Sequence, residues 1–475
     1  MQHPNSPDSA RTFSEPYKRW LLLLLMLAYA ASFMDRVIIA TVGQAIKVDL
    51  ALSDVQLGLL GGMAFAFFYT VLGIPVARLA ERKSRVTIIS VCVVTFSLMT
   101  FLCGMAQNYW QLLLCRMGVG VGEAGGTPSS HSLIADHFPV EKRASAISLF
   151  SVGVPLGAVS GALLGGWIVS NWGWRPAFFI IGLPGVLLSA LIYLTLREPA
   201  RGLSEKTAQT STNVPSLKEV LARLRSKQAF THIAIGCALA GFANFAINMF
   251  MPMYFVRVFE FSYAQAGLTF GLISGGASLI GTLGGGYLSD WAAKKDQRWY
   301  VWVPAAAFVI GTPFYLFAFS QHSWQVALPV MMLGAIFFYA WNGPTFSVTL
   351  NLVEPRMRAS ASAILLFVVN MIGQGMGPIF IGFASDRFAD RAFTMGHYAA
   401  QCPGGRAGAG ASADLAAACA QASASGIQSG MLLCSCAFLG AALFYFLAAR
   451  TLRADLAPDA SVAVAPGAAR LVTGR

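Results

Sequence analysis

Charged residues are scarce in this chain. Asp, Glu, Lys and Arg together make up 11% of its 475 residues, whereas about a quarter of a water-soluble globular domain is charged. Hydrophobic residues make up 56% of the chain. So few charges cannot cover the surface of a soluble protein. The composition therefore excludes that class and predicts an integral membrane protein.

The sequence also lacks the motifs of several enzyme and binding classes. It contains no phosphate-binding loop, no metal-ligand spacing and no nucleophile elbow. Ser129, His131 and Asp136 are too loosely spaced to predict a catalytic triad. The net charge of +12 is not gathered into a basic groove with aromatic residues, so nucleic acid is not an expected partner. We expect no enzymatic activity, no cofactor and no metal.

Apolar runs long enough to cross a membrane recur twelve times. A helix needs about 20 apolar residues to cross a hydrocarbon core about 30 Å thick. These runs predict an all-α integral membrane fold with twelve transmembrane helices. The predicted spans are residues 20–43, 56–78, 86–106, 109–135, 145–169, 176–196, 231–256, 266–289, 299–319, 324–349, 360–384 and 427–449.

Basic residues concentrate in alternate connections between the spans. Examples are the run ARLAERKSR at 77–85 and the pair Lys294 and Lys295. Because Lys and Arg accumulate on the cytoplasmic side of membrane proteins, this pattern predicts a bacterial-type inner membrane protein with both tails, 1–19 and 450–475, in the cytoplasm. The net positive charge then reflects topology.

The first half of the chain is repeated in the second. Ser53, Gln56 and Gly58 have identical counterparts 209 positions later, and Arg143 begins an Arg-Ala-Ser-Ala run that returns at Arg358. Repeats in the same direction with six spans each are parallel copies. Transporters built in this way carry their substrate site near the middle of the membrane, between the copies.

The repeat divides the chain into two six-helix bundles, 20–196 and 231–449, joined by a polar linker, 197–230. Within the linker, LKEVLARLRSK is typical of an amphipathic helix lying on the inner membrane surface, although a plain connection is the alternative. A long Ala/Gly/Ser-rich loop is expected at 385–426, on the outer side. It contains Cys402 and Cys419, for which a disulfide and two free thiols remain open.

Three further stretches resemble a known family. ARLAERKSR at 77–85 is similar to the signature loop of the major facilitator superfamily, with Ala, Glu and Ser where that loop usually has Gly, Asp and Gly. GYLSD at 286–290 is similar to the same loop in the second half, and NWGWRPAFF at 171–179 resembles the family's junction between spans 5 and 6. The resemblance implies the major facilitator fold.

A narrower resemblance is to the Spinster-type lipid transporters of that superfamily. It rests on FMDR at 33–36, RMGVGVGEA at 116–124, LIADHF at 133–138 and REPARG at 197–202. The resemblance implies transport of an amphiphilic substrate such as a lysolipid or a sphingosine phosphate.

Charged residues flank the signature loop and its counterparts. We predict that they form a conformational latch that holds the inner side closed, and the alternative is a positive anchor that only sets topology. The residues concerned are Glu81, Arg82, Arg85, Arg143 and Asp290.

Span 4 carries two opposite charges within the membrane. At about 100° per residue, Arg116, Gly120 and Glu123 lie on one face of the helix. A charge in the middle of a membrane costs about 2.5 kcal/mol or more, so this face is expected to meet a cavity or a partner. The opposite face, with glycines at 118, 122 and 126, suits close packing of a neighbouring helix.

The partner predicted for Arg116 is Asp35 in span 1. Arg116 and Glu123 are about 10.5 Å apart along their helix, which is unfavourable for a direct pair. Asp35 and Arg116, in contrast, fall at about the same depth when counted from Trp20 and Trp110 at the ends of their spans. We predict that Asp35 and Glu123 exchange protons while Arg116 balances their charge. A pair that only fixes helix packing is the alternative.

The other candidate binding residues are Arg36, Asn244, Tyr339 and Trp341. Arg36 is predicted to bind an anionic headgroup, or else to extend to the membrane surface. Asn244 is the counterpart of Asp35 in the second half. In the second half, positions equivalent to Arg116 and Glu123 hold Met331 and Phe338. A cavity that is charged on one wall and aromatic on the other suits an amphiphile, although plain helix packing also explains each aromatic residue.

These observations predict a proton-coupled secondary active transporter that works as a monomer in the lipid bilayer. Its two halves are expected to rock around a central site, in alternating access. Two other functions remain open. The same fold could export drugs or small organic anions, or it could serve as a receptor or scaffold that transports nothing.

Overall fold

The computed structural model describes residues 13–80, 82–199, 217–354 and 357–456. Within these ranges all regular elements are helical and no strand occurs. The helices of the first half are Glu15–Asp49, Asp54–Gly61, Met63–Ala80, Arg85–Met105, Tyr109–Glu123, Gly126–His137, Val140–Ser151, Gly153–Trp172 and Trp174–Thr195. Those of the linker and second half are Leu217–Ser226, Gln228–Val258, Tyr263–Gly271, Leu272–Gly276, Ala277–Ala293, Trp299–Ser320, Trp324–Tyr339, Asn342–Asn351, Arg358–Val368, Val369–Met376, Gly377–Ala392, Tyr398–Gln401, Pro403–Gly405, Ala413–Ser435 and Ala437–Leu456.

These helices build the twelve expected spans. Eleven helical stretches are long and apolar enough to cross a membrane. The remaining span, number 4, consists of Tyr109–Glu123 and Gly126–His137, and its continuity is lost at Ala124 and Gly125. Because of this break, neither of its two helices, of 15 and 12 residues, is long enough to cross a membrane alone.

Several spans are interrupted within the membrane. Spans 8 and 11 contain π-helical turns at Leu272–Gly276 and Val369–Met376. Span 10 breaks between Tyr339 and Asn342. π-Helical turns often occur at functional sites; both of these lie in the second half, whereas broken spans occur in both halves.

The second span of each repeat, span 2 or span 8, begins with the same N-terminal capping box. Ser53 accepts a hydrogen bond from the Gln56 N–H, and the Gln56 side chain bonds the Ser53 N–H in return. Ser262 and Gln265 make the same reciprocal bonds at the start of span 8. This capping box satisfies two of the amides that a helix start leaves unpaired, so the repeated residues have a local structural cause.

We call the side carrying Glu15 and Leu456 the terminal side and the opposite side, carrying Asp49 and Val258, the distal side. The two halves contact each other closely toward the distal side, where span 2 crosses span 11 and span 5 crosses span 8. Glycine makes both crossings possible. A Cβ atom on Gly58 would come within 2.3 Å of the Pro378 carbonyl oxygen, and one on Gly267 within 2.3 Å of the Ala162 carbonyl oxygen.

The stretch expected as a loop, 385–426, is mostly helical. Span 11 continues to Ala392, and span 12 begins at Ala413 with Ser412 as its N-cap. Alanine is the strongest helix former, so the run after Ser412 extends the helix out of the membrane. The connection shrinks to residues 393–412.

Cys402 and Cys419 are joined by a disulfide, with their Cα atoms 5.6 Å apart. The bond ties the short connection to the first turns of span 12, and both cysteines are buried. The pairing that the sequence left open is therefore present in the structure.

In the linker, residues 200–216 lie outside the described part of the chain. The helix Leu217–Ser226 falls within the stretch predicted to be amphipathic. Its Val220 and Leu224 are buried against the second half, while Leu221 remains exposed.

The crossings predict a measurable effect of glycine replacement. In Gly58→Leu the new side chain must displace the backbone of span 11, because it has no flexible neighbour to move, and overpacking of this kind costs about 1–3 kcal/mol. We expect distance probes on the distal ends of spans 2 and 11 to move apart. Gly284→Leu is the matched control, since a Cβ there meets nothing within 4 Å; equal distances in both variants would refute the role of Gly58.

Candidate functional site

Asp35 and Arg116 form an ion pair within the first half. An Arg116 terminal nitrogen lies 2.6 Å from Asp35 Oδ2, and the Thr100 hydroxyl donates to Asp35 Oδ1 at 2.5 Å. The side chains of Asp35 and Arg116 are 0% and 1% exposed. The contact predicted from helix depth is therefore confirmed, with Thr100 from span 3 as an additional partner.

Glu123 has a different partner, Arg36. The Arg36 Nε and a terminal nitrogen lie 2.8 and 2.6 Å from Glu123 Oε2, which also accepts a hydrogen bond of 2.6 Å from the Ser32 hydroxyl. The guanidinium of Arg36 stacks on the rings of Phe33, Phe65 and Tyr69, within 4.9 Å of each centroid. Arg36, predicted to hold a headgroup, is thus occupied by a carboxylate in this structure.

Phe65 lies between the two pairs. Its ring centroid is 4.8 Å from the Arg36 guanidinium and 5.8 Å from that of Arg116. Cation–π contacts of this kind stabilise a buried cation. The four charges sum to zero, so removing one charge by protonation leaves a cation without its partner. This arrangement can couple proton binding to movement of an arginine.

The second half provides a neutral polar cluster. The Asn248 amide donates to the Asn244 carbonyl oxygen at 2.8 Å and to its side-chain oxygen at 3.2 Å. The Tyr339 hydroxyl donates to Asn248 Oδ1 at 3.3 Å. Asn244 and Tyr339, both predicted binding residues, are half-buried and lie together. Asn248 was missed, although it follows Asn244 by one helical turn on the same face.

Trp341 does not line an open cavity in this structure. Its side chain is buried at the break in span 10, and its indole nitrogen has no hydrogen-bond partner among the described residues. Met331 and Phe338 are likewise buried, and Phe338 stacks on Phe438 with centroids 3.7 Å apart. In this structure these side chains pack in the core of the second half, as the alternative of plain helix packing predicts, and a role for Trp341 in substrate binding stays a prediction.

Arg85 forms the centre of an ionic cluster on the terminal side. Its guanidinium pairs with Asp136, with Glu198 Oε1 at 2.7 Å and with the Ser132 hydroxyl at 3.0 Å. Burial alone would raise the pKa of Glu198, but hydrogen bonds from the Val86 N–H and the Arg85 guanidinium hold that pKa below its usual value. The cluster ties spans 3 and 4 to the end of span 6.

The other residues of the predicted latch lie apart. Arg82 is exposed, Arg143 donates to the Ala135 carbonyl oxygen at 2.9 Å, and Asp290 accepts from the Tyr300 hydroxyl at 3.0 Å. Glu81 lies outside the described residues. Each of these contacts stays within one half.

A second buried ionic cluster, on the distal side, was missed by the sequence analysis. Asp54 at the start of span 2 accepts two hydrogen bonds from Arg257 of span 7, both 2.7 Å long. Lys47 donates to Asp54 at 2.7 Å, and the Ser385 hydroxyl donates at 2.6 Å. Arg257 and Ser385 belong to the second half. Asp54 thereby connects the halves through a fully hydrogen-bonded carboxylate.

Asp386 completes this distal cluster from the opposite half. Its two carboxylate oxygens accept the Asp54 and Val55 N–H groups at 3.0 Å each, so a residue of span 11 caps the start of span 2. Two cations and two carboxylates balance within the cluster. These charges stand at span ends, where charged residues are common. Asp54 is not repeated in the second half, where its counterpart is Tyr263.

The disulfide-linked connection covers the distal cluster. Gly404, at φ +65°, lies so close to span 1 that a Cβ would come within 2.6 Å of the Lys47 carbonyl oxygen. Residues Pro403–Gly405 of the second half therefore rest on the distal end of span 1. A cavity of about 480 Å³ lies beside them, with Lys47 and Asp386 in its wall.

The fold agrees with comparisons to known proteins. A model of the Major Facilitator Superfamily matches residues 25–378. The chain belongs to this superfamily. It is 30% identical to an MFS-type efflux pump of Mycolicibacterium smegmatis over 79% of this chain and 86% of that protein. It is 26% identical to the sphingosine-1-phosphate transporter of Danio rerio over 76% of this chain and 75% of that protein.

Within the superfamily the chain is of the Spinster type. A bacterial homologue of the human lysosomal transporter Spinster, crystallised inward-facing and unoccupied, is 34% identical, and superimposes with a TM-score of 0.86 over 94% of this chain and all of that one. The occupied form of that homologue gives a TM-score of 0.81 with the same coverage. The protein is therefore a facilitator-type transporter and not an enzyme.

The distal cluster of this transporter predicts a strong effect of Asp54→Asn. Removing the carboxylate leaves Lys47 and Arg257 buried with one fewer anion, and breaking a buried ionic contact costs about 3–5 kcal/mol. We expect the distal contact between the halves to weaken, which paired distance probes on spans 1 and 7 would record as a lengthening.

Asp49→Asn is the control for this prediction. Asp49 also forms a distal ion pair, with Arg175 at 2.7 Å, but both side chains are more than a third exposed and belong to the first half. If Asp49→Asn lengthened the probe distance as much as Asp54→Asn, the distal cluster would have no special role in closure.

Proposed function

We propose that the protein is a proton-coupled secondary active transporter of an amphiphilic, lipid-like substrate. The observation that carries the proposal is the arrangement of Asp35–Arg116 and Glu123–Arg36, two buried ion pairs in the middle of the first half. Ionisable groups at such depth are rarely retained for stability alone. The names of the relatives, which include a sphingosine-1-phosphate transporter and probable sphingolipid transporters of Arabidopsis thaliana, support the substrate class.

The proposed coupling step is an exchange of partners at Arg36. Protonation of Glu123 removes the charge that holds the Arg36 guanidinium. The freed Arg36 then binds an anionic headgroup, because a phosphate or carboxylate oxygen can accept the two guanidinium hydrogen bonds that Glu123 Oε2 accepts in this structure. Arg36 is 17% exposed, whereas Glu123 is 1% exposed, so of the two side chains Arg36 is the more accessible to a ligand. Asp35 is the second proton site, with Arg116 as its counter-charge.

The second half would hold the remainder of the substrate. Asn244, Asn248 and Tyr339 offer neutral polar groups opposite the charged pairs, which suits the hydroxyl or amide groups near a lipid headgroup. Alternating access follows if the halves rock between distal closure and terminal closure. Glu81, Arg82, Arg85, Arg143 and Asp290 remain candidates for contacts that form when the terminal side closes.

The proposed setting is a bacterial-type inner membrane. The excess of Lys and Arg in alternate connections supports a cytoplasmic location for the terminal side, as the sequence predicts for both tails. The proton is the only coupling ion in the proposal, which includes no cofactor, and the transporter acts as a monomer, since one chain supplies both walls of the site.

A second candidate function is export of drugs or small organic anions. It is favoured by the identity to the mycobacterial efflux pump and by Arg36, which would bind any carboxylate. Uptake and counterflow into liposomes under a pH gradient separate the two functions. The first predicts that lysophospholipid exchanges and that short organic acids do not, and the reverse result supports export of small anions.

The proton sites predict the outcome of a double substitution. Protein carrying Asp35→Asn and Glu123→Gln can no longer take up a proton at these positions. Acidification should therefore not change its conformation. Distances between probes on the two halves, measured in purified protein, provide the test. Asp414→Asn, an exposed carboxylate at the distal start of span 12, is the control and should respond as the wild type does. A double variant that still switches with pH would refute the proposal.

A further inference from the structure

A small cavity lies inside the first half, next to Glu123. Its volume is about 30 Å³, and its wall includes Ser32, Cys92, Glu123, Thr127 and Ser130. All of its lining residues come from spans 1, 3, 4 and 5. The cavity is therefore lined by the first half alone.

The cavity extends from Glu123 toward the terminal side. On span 1 its wall runs from Ser32 back to Leu25, and on span 4 it runs from Glu123 forward to Ser130. Each of these segments covers about 10 Å along its helix. Both segments lead in the same direction because span 1 starts on the terminal side and span 4 ends there.

One oxygen of Glu123 has no protein partner. Oε2 accepts bonds from Ser32 and Arg36, whereas Oε1 is buried and makes no hydrogen bond to any described residue. An unpaired buried carboxylate oxygen is costly. A water molecule needs about 10–15 Å³ in such a cavity and two or more polar partners. The cavity has room for about two water molecules, which would hydrogen-bond to the Glu123 carboxylate and to the hydroxyl groups of the wall.

Gly126 keeps this space open. A Cβ atom on Gly118 or Gly122 would collide with span 3, at 2.6 Å from the Met99 sulfur and 2.4 Å from the Phe96 nitrogen. A Cβ on Gly126 would meet nothing within 4 Å. The expectation that Gly126 serves helix packing like the other two glycines was therefore wrong.

We propose that this cavity holds water molecules that relay protons to Glu123 from the direction of the terminal side of the membrane. The inference rests on the proposed proton coupling and adds a route to it: the proton reaches Glu123 through the first half. Ser32, Thr127 and Ser130 orient the water molecules. The Ser130 hydroxyl donates to the Gly126 carbonyl oxygen and keeps its own oxygen available as an acceptor.

Other groups face Glu123 and set its charge in both protonation states. They are Tyr29, Asp35 and Arg36 of span 1, Cys92 of span 3 and Arg116 of its own span, while Tyr69 of span 2 contacts Arg36. Of these, Tyr29 and Cys92 line the cavity. The test must therefore fill the cavity without changing any of these groups.

Gly126→Leu and Ala28→Leu meet this condition, since they fill the cavity from opposite walls. Time-resolved infrared spectroscopy after a rapid drop in pH follows the carboxyl band of Glu123, which Glu123→Gln identifies by its loss. We expect protonation to slow about tenfold or more in both variants, because a positioned proton relay is worth at least that factor, and to reach the same final extent. Gly284→Leu, which adds the same side chain outside the cavity, should leave the rate unchanged.

The possible results separate the water relay from the proposed function. If both filled variants protonate Glu123 at the wild-type rate, or shift only the pH midpoint, the water relay is refuted and proton coupling stands. If Glu123 of the wild-type protein takes up no proton at any tested pH, the coupling itself fails. Use of two filling variants from different helices keeps the test decisive if one of them does not fold.

Discussion

The structure depends on one constraint: a charge within the hydrocarbon region requires a partner. Asp35 meets Arg116 and Glu123 meets Arg36, all within the first half. An unpaired charge there costs about 2.5 kcal/mol or more, so protonation of either carboxylate creates an arginine that must find another anion. A substrate headgroup meets that need, which links the binding of protons to the binding of substrate.

The same constraint acts where the halves meet. Asp54 receives donors from both halves, and Asp386 caps a helix of the opposite half. Because these charges satisfy each other only while the distal side is closed, the cluster favours that conformation. Glycines at the crossings, Gly58 and Gly267, bring the backbones close enough for the contacts to form. The pairs Asp35–Arg116 and Glu123–Arg36 lie within one half. They can therefore bind protons without breaking the distal contact between the halves.

Much of this architecture was predictable from sequence. The apolar runs indicated twelve spans, and the helical rise placed Asp35 beside Arg116. Contacts between distant spans were harder to predict. Lys47, Arg257 and Asp386 stand at span ends, where charges are common, and no local pattern relates them. The alanine-rich run after Ser412 was predicted to be a loop, but it is helical. Its small residues are compatible with either a loop or a helix. Gly126 shared the spacing of packing glycines, and only the structure shows the space beside it.

The central claim is that Glu123 gives up Arg36 when a headgroup binds. The most direct measurement is the number of protons taken up as lysophosphatidic acid binds to the purified transporter, obtained by calorimetry in buffers of different ionisation enthalpy. The account predicts uptake of about one proton per bound lipid near neutral pH, and its loss in Glu123→Gln. Binding that takes up no proton in the wild-type protein would contradict it.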